Sequence, residues 1–336
     1  MQVKKFKLLG LLLSLLLVVG LLAGCGGQGD EAKENGKEDV AVEYPTKSIK
    51  YVVPFNPGGQ SDLEARRQQQ PLEEILGTSV VVENKPGGGG AVGWATLVNK
   101  KPTGYYLTGM NIPHIILQPL ARENAGYETD QINPIALFQG TPIGLAVQPD
   151  APWDTLEEFL ADAKDNPGGI TVGGSGTWSG HHITLLQLQD KTGTEFQYIP
   201  SQGAAPSIQS FLGGNVDALF ANSNDLVQHK DNMKILAIGS AETFEPLPDV
   251  KTFKEEGVDL VSSIDRGIAA PPGTDEEIIQ ILEDAFMQIA NDEEIQAQMK
   301  EEGFQPLAMG AEETKQYIED MKEKYTEIYN KVKDQA

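Results

Sequence analysis

Residues 49–64, IKYVVPFNPGGQSDLE, decide how the chain is read. A β-branched and aromatic run, Ile49 to Val53, gives way to Pro54-Phe55-Asn56-Pro57-Gly58-Gly59. Ser61 and Glu64 then have the spacing of a capping box at the start of a helix. A strand that opens through a glycine loop into a helix leaves the first amides of that helix facing the loop without intrahelical partners. The same order recurs at GGSGTWSGHH (173–182), IPSQGAAPS (199–207) and LFANSNDL (219–226), where Asn222, Ser223 and Asn224 suit a cap. Each would aim a helix N-terminus at the carboxyl ends of the strands, where open α/β sheets hold ligands. Several such ends together suit a carboxylate. The arginines, Arg66, Arg67, Arg122 and Arg266, all lie outside these four loops. Recognition is therefore expected to rest on amides and hydroxyls rather than on a guanidinium fork, with Arg266 the one reservation, since a ligand with a second acid group could reach for it across the hinge.

Outward from these loops, short β-rich runs (SVVVEN, YYLTGM, IGLAVQ, GITVGG, FQYIP, VDALFA, MKILAIG) alternate with helix-like stretches. The alternation predicts an α/β fold with largely parallel sheets. The folded part exceeds the size that one core usually serves, so two lobes are expected. IGLAVQPD (143–150) and SSIDRGIAAP (262–271) read as extended crossovers between them. They put lobe one at 44–145 plus 262–336 and lobe two at 146–261. Two long amphipathic patterns, 275–302 and 311–333, close the chain with solvated charged faces.

At the other end, Lys4, Lys5 and Lys7 precede an apolar run from Leu8 to Gly24, followed by Cys25, the single cysteine. The run approaches the length of a membrane span, but the small residues before Cys25 match a lipobox. The expectation is a signal peptide over 1–24, a lipid-modified Cys25 and a flexible tether over 25–43 that has too little apolar surface to order itself. Formal net charge is −23, and −26 once the three signal lysines are removed. So acidic a chain is a poor partner for nucleic acid or an anionic membrane surface.

Two catalytic readings fail on the residues. Gly88, Gly90 and Gly93 satisfy G-x-G-x-x-G, but Glu83 to Pro86 separate them from the strand and no acid stands near position 113. The glycine run is better read as a close-packed turn before the helix AVGWATLVNK. Gly173 to Thr177 nearly spells a nucleophile elbow but lacks its last glycine. His181 and His182 are adjacent, so they diverge on a helix and cannot meet one metal or one serine. The expectation is that one of them packs or hydrogen-bonds and the other is exposed. With only His114 and His229 besides, no zinc spacing exists. Neither an enzyme nor a cofactor nor a metal site is expected.

The ordered motifs YPTKSIKYVVPFNPGGQSD (44–62), VVVENKPGGGGAVG (80–93), KPTGYYL (101–107), GGSGTWSGHH, GGNVDALF (213–220), LPDVKTFKEEG (247–257) and GIAAPPGT (267–274) resemble those of a known family. It is the extracytoplasmic solute receptors of tripartite tricarboxylate transporters, also called Bug proteins, and the likeness spans about Tyr44 to Val332. The resemblance implies a two-lobe periplasmic binding protein fold of type II that closes on a small carboxylate and delivers it to membrane permease subunits. It makes the glycine run a structural turn and PFNPGGQSD the ligand-facing one. Carried over, it implies ligand contacts from Phe55, Gly59, Gln60, Ser61, Asn111 and Ile112. From the second lobe it implies Gly176, Thr177, Ser179, His182, Asn222 and Asn224, with Asp62 capping its helix.

Gln60 departs from the family's usual Ser or Thr, Ser201-Gln202 from Tyr-Lys, and Asp265-Arg266 from an aromatic before glycine. These departures bear on which acid is bound. The expected protein is a monomer outside the cytoplasm, tied to the cell membrane only by its lipid. A ligand-sensing lipoprotein for a signalling partner would share the fold and stands as the alternative.

Overall fold

The computed structural model describes residues 42–335. The signal segment, Cys25 and all of the tether before Val42 lie outside the described residues. In chain order the elements are β1 (Ile49–Val53), α1 (Gln60–Leu76), β2 (Val80–Asn84), α2 (Ala91–Val98), β3 (Tyr106–Ile112), α3 (His114–Ala121) and β4 (Asn133–Val147). There follow α4 (Leu156–Asp165), β5 (Thr171–Gly174), α5 (Gly180–Thr192), β6 (Gln197–Pro200), α6 (Ala204–Leu212), β7 (Ala218–Asn222), α7 (Ser223–His229) and β8 (Lys234–Ile238). The chain closes with β9 (Ser263–Ala270), α8 (Glu276–Ala290), α9 (Glu293–Glu301), β10 (Gln305–Met309) and α10 (Ala311–Val332).

The sheet is mixed rather than largely parallel. Strand order is β2-β1-β3-β9-β4-β7-β5-β6, with β8 and β10 also on β4. The strand–loop–helix units give the parallel pairs, β1 with β2 and β3, and β5 with β6 and β7. The antiparallel part comes from the two crossover segments, which pair with each other. Asn133 to Pro142 of β4 run against β9, while Ile143 to Val147 run against β7. An uninterrupted apolar strand carries no sign of its direction, so only the pairing reveals it. Apolar cores lie on both faces: Tyr51, Leu72 and Phe286 pack beneath α1 and α8, and Trp94, Ile116 and Tyr325 beneath α2, α3 and α10. Beyond the handover Phe159, Phe220 and Phe253 fill a further core.

Two local expectations change. The capping box at Ser61 does not form, because the extended backbone that a cap requires falls at Gly59 (φ −87°, ψ 169°) and Ser61 is already helical. Asp62 instead accepts from the Gly58 amide at 3.0 Å and the Asn84 side chain at 2.9 Å. The pattern over 275–302 breaks into α8 and α9, since Asp292 Oδ1 accepts from the amides of Glu294 and Ile295 at 3.0 and 2.9 Å and starts a new helix. The glycine run packs α2 tightly: a Cβ on Gly90 would lie 2.3 Å from the Trp94 ring, and one on Gly93 2.6 Å from Pro54.

Candidate functional site

The loops after β1, β3, β5, β6 and β7 meet around a small chamber. The β1–α1 turn contributes Phe55, Gly59, Gln60 and Ser61, and the β3–α3 turn Asn111 and His114. Ser175, Gly203 to Pro206 and Asn222 face them, while Ile264 and Arg266 of β9 complete the wall. Its space of about 30 Å³ suits about two waters. The first turns of α1 and α6 both border it. Amides there lack intrahelical acceptors and carry the positive end of the helix dipole.

Arg266 is 4 % exposed and sits in register with Asn111 of β3 and Gln139 of β4. Its Nη1 donates to Thr141 Oγ1 at 2.6 Å and to the Ile264 carbonyl at 3.0 Å, and Nη2 reaches Asn222 Oδ1 at 3.4 Å. Nε has no partner, and no ion pair among the described residues includes this guanidinium. Burial lowers its pKa to about 10 against the pull of Asp225, Asp265 and Glu64. Those three acids are held elsewhere. Asp225 accepts from Gln60 Nε2 (2.5 Å) and Asn222 Nδ2 (3.2 Å), Asp265 from Ser263 and Tyr317, and Glu64 from Arg67 and Gln68.

Two further wall groups lack partners, His114 Nδ1 and Ser175 Oγ. Burial first, then Arg266 and His181, press His114 down to about 3, so its imidazole is neutral near pH 7. Buried polar atoms without partners are uncommon in folded chains, and three of them belong to residues of this one wall. The chamber is therefore poised to give hydrogen bonds, and no carboxylate stands in its wall.

A wider outer chamber of about 320 Å³ adjoins it and shares Phe55, Ser175 and Gly203 with its wall. Gly87 to Gly90 and Arg122 form one side of it, Gly176, Thr177 and Pro200 to Gln202 the other. The glycine run thus does more than turn the chain. Across the cleft Asn56 Nδ2 donates to the Gln202 carbonyl at 2.7 Å, and Gln118 Nε2 to the carbonyls of Thr177 and Trp178 at 3.2 and 3.0 Å.

Of the residues expected at the site, Phe55, Gly59, Gln60, Ser61, Asn111 and Asn222 line the inner chamber, and Gly176 and Thr177 the outer. Ile112, Ser179, His182 and Asn224 line neither. Ile112 packs in a core, and Ser179 Oγ caps α5 through the His182 amide at 3.2 Å. His182 accepts from the Trp178 amide at 3.1 Å and stacks on Tyr198, centroids 4.3 Å apart. Asn224 is buried on α7 against Gly303. Neither adjacent histidine is exposed: His181 Nδ1 accepts from the Ser175 amide at 3.1 Å, which leaves Nε2 to face Asn222 Oδ1 at 3.4 Å. Asn222 makes no side-chain cap, because its Oδ1 faces Thr141 Oγ1, Arg266 Nη2 and His181 Nε2 instead of the α7 amides.

His114, Ser175 and Gly203 of the inner wall were not among the expected residues, and Arg266 was the one reservation. Gly203 stood within a loop already singled out, and Arg266 stood at a position where the sequence departs from the family's pattern. β9 brings Arg266 from a distant part of the chain into the same wall, so a guanidinium stands beside the amides on which recognition is expected to rest.

A mixed α/β sheet handed over along one strand, with helix N-termini facing each other across a polar cleft, defines a periplasmic binding protein. The chain belongs to the tripartite tricarboxylate transporter receptor family, whose sequence pattern matches residues 64–333. The protein of the gbd 5′ region of Cupriavidus necator is 30% identical over 294 residues, covering 87% of this chain and 89% of that one. BugT of Bordetella pertussis is 27% identical over 311 residues, covering 91% and 93%. The solved periplasmic binding protein BugD is 27% identical, with a TM-score of 0.81 over 86% of this chain and 98% of its own.

Proposed function

We propose that this receptor captures a small organic acid in the cleft and delivers it to the membrane subunits of a tripartite tricarboxylate transporter. The observation that supports it is one chamber bordered by two helix N-termini, with unpartnered buried polar atoms among its wall residues and no acid in its wall. Lobes at 44–145 plus 262–336 and at 146–261 would part to admit the ligand, a reading supported by the handover of β4 from β9 to β7 at Pro142 and Ile143. The receptor acts as a monomer outside the cytoplasm with Cys25 as its lipidated first residue, for which the intact mass of the mature chain is the check.

Protein purified under mild conditions should release an organic acid identifiable by mass spectrometry. With that acid, Ser61→Pro removes one amide from the α1 end and Gly59→Val blocks approach to it. A Cβ at Gly59 meets only the Asn56 carbonyl, at 3.8 Å, so the fold has room for the change. Each should cost a hydrogen bond to a charged group, about 1.5–3 kcal/mol or at least tenfold in affinity. Thr177→Val tests the outer chamber. Titration calorimetry that finds all three unchanged would place the ligand elsewhere.

A further inference from the structure

The chain carries 49 acids in 336 residues, yet none falls from Asn84 to Arg122. That stretch holds the glycine run, α2, β3 and α3. Burial accounts for β3 and α3, but the exposed positions from Pro86 to Thr103 are likewise neutral or basic. The exposed faces of α4, α8, α9 and α10 carry acids, whereas α2 has no charged residue. Val92 on α2 is 53% exposed, more than any other large hydrophobic side chain among the described residues.

An open groove of about 580 Å³ runs along this helix. Val92, Ala95 and Ala125 give it apolar sides, Arg122 stands at the end nearest Gly88, Lys100 stands just past the other end of α2, and no acid lines it. Neither cation has an ion pair among the described residues. Arg122 Nη1 donates to the Gly88 carbonyl at 3.1 Å, and the Lys100 ammonium lies 4.9 Å from the centre of the Tyr106 ring. Of the acids that flank this face, Glu83 is held by Lys50 at 2.6 Å and Lys85 at 3.5 Å, Asp130 is paired with Lys322 at 2.6 Å, and Glu123 and Glu128 are exposed beyond Arg122. Against Glu83, Glu123 and Glu128 stand Lys50, Lys85, Lys100, Lys101 and Arg122, so the face keeps a positive surplus on a chain of formal net charge −23.

We propose that this groove docks an acidic, amphipathic segment of the transporter's membrane subunits, with one carboxylate on Arg122, another on Lys100 and apolar side chains over Val92 and Ala95. This rests on the reading of the chain as a receptor that delivers its acid to those subunits, and it names the surface used. Two acids separated by two helical turns lie about 11 Å apart, close to the length of about 12 Å that eight residues give α2. An apolar strip between them completes the pattern of a helix laid in a groove. Elsewhere the acidic surface repels such a segment, which fixes where it lands. The groove also shares Gly88 and Arg122 with the outer chamber. A carboxylate that takes Arg122 competes with the Gly88 carbonyl, so docking acts on a wall of that chamber.

Photo-crosslinking tests this in membranes that hold the full-length receptor and the membrane subunits together. A benzophenone is attached to the thiol of Val92→Cys, with Ile75→Cys at the far end of α1 and Leu212→Cys at the end of α6, each 37% exposed before substitution, as comparison sites. The wild type, whose one thiol is Cys25, gives the background. Val92→Cys should join a membrane subunit roughly tenfold more than either comparison site, as a contact in the centre of a docked face does. Adding Lys100→Glu should cut that yield about threefold or more, Lys100→Gln should cut it less, and raising the salt should lower it in the parent more than in Lys100→Glu.

Adducts from Ile75→Cys or Leu212→Cys that equal those from Val92→Cys overturn the proposal and leave delivery standing. So does a Val92→Cys yield indifferent to both substitutions at Lys100. An adduct of Val92→Cys with a second receptor alone makes the groove a self-association face and overturns it too. If no position yields an adduct with a membrane subunit, delivery to those subunits falls and the docking with it.

Discussion

Asp225 shows how a single residue is shaped by its burial. Its carboxyl is pushed up to about 6 by desolvation, although Asn222 and Gln60 donate to it and Arg266 lies near. Burial wins because two neutral amides and a guanidinium out of contact do not replace water around a full charge. A raised carboxyl favours the protonated folded form. Its stabilisation is complete below the unfolded value near 3.8 and is lost as pH rises through about 6. Asp225→Asn cannot ionise, so its stability relative to the wild type should improve by about 2–3 kcal/mol between pH 4 and pH 7.5. Urea titrations at the two pH values check this, and parallel profiles for the two proteins would refute it.

At the level of elements, α1 joins the sheet to the site through a buried polar row. Tyr51 donates to Gln68 at 3.2 Å, Gln68 to Glu64 at 3.0 Å, and Arg67 ties Glu64 to Glu302 while lying over the Phe304 ring at 5.0 Å. The row packs the C-terminal residues 302–304 against the helix whose first turn borders the chamber. Arg67 lies outside the loops singled out in the sequence, and its side chain is only 12% exposed. Arg67→Ala would strand the buried Glu64 carboxylate, and stability should fall by about 3 kcal/mol or more. Chemical denaturation measures the loss. A change within error would mean that Glu64 is protonated or finds water once Arg67 is gone, a direction its burial-raised pKa already favours.

For the whole molecule, the bonds across the cleft decide what ligand does. Asn56 to Gln202, Gln60 to Asp225 and Gln118 to Thr177 and Trp178 span the site, and each contributes about 1 kcal/mol at most times. If the lobes part as proposed, so small a sum would leave open and shut forms close in energy, and a ligand that touches both sides would favour the shut one. Small-angle scattering should record a smaller radius of gyration at saturating ligand, and no compaction would argue for a rigid cleft.

The strand-to-helix turns were legible at Val53 to Gln60 because local chemistry, a β-branched run and then glycines, dictates them without help from distant residues. The same local signals singled out the loops, and the family resemblance carried over Phe55, Gly59, Ser61 and Asn222, which line the inner chamber. The ordered motifs carried the family as well. Tertiary structure alone decided the mixed direction of the sheet, since β4 and β9 are apolar runs whose sense depends on what they pair with. It also decided the burial of Arg266, because pairing with Asn111 and Gln139 across the sheet is what places this arginine, without an ion pair among the described residues, in the wall of the inner chamber. Charge and hydrogen-bonding capacity belong to the residue, but burial and the absence of a partner belong to the fold.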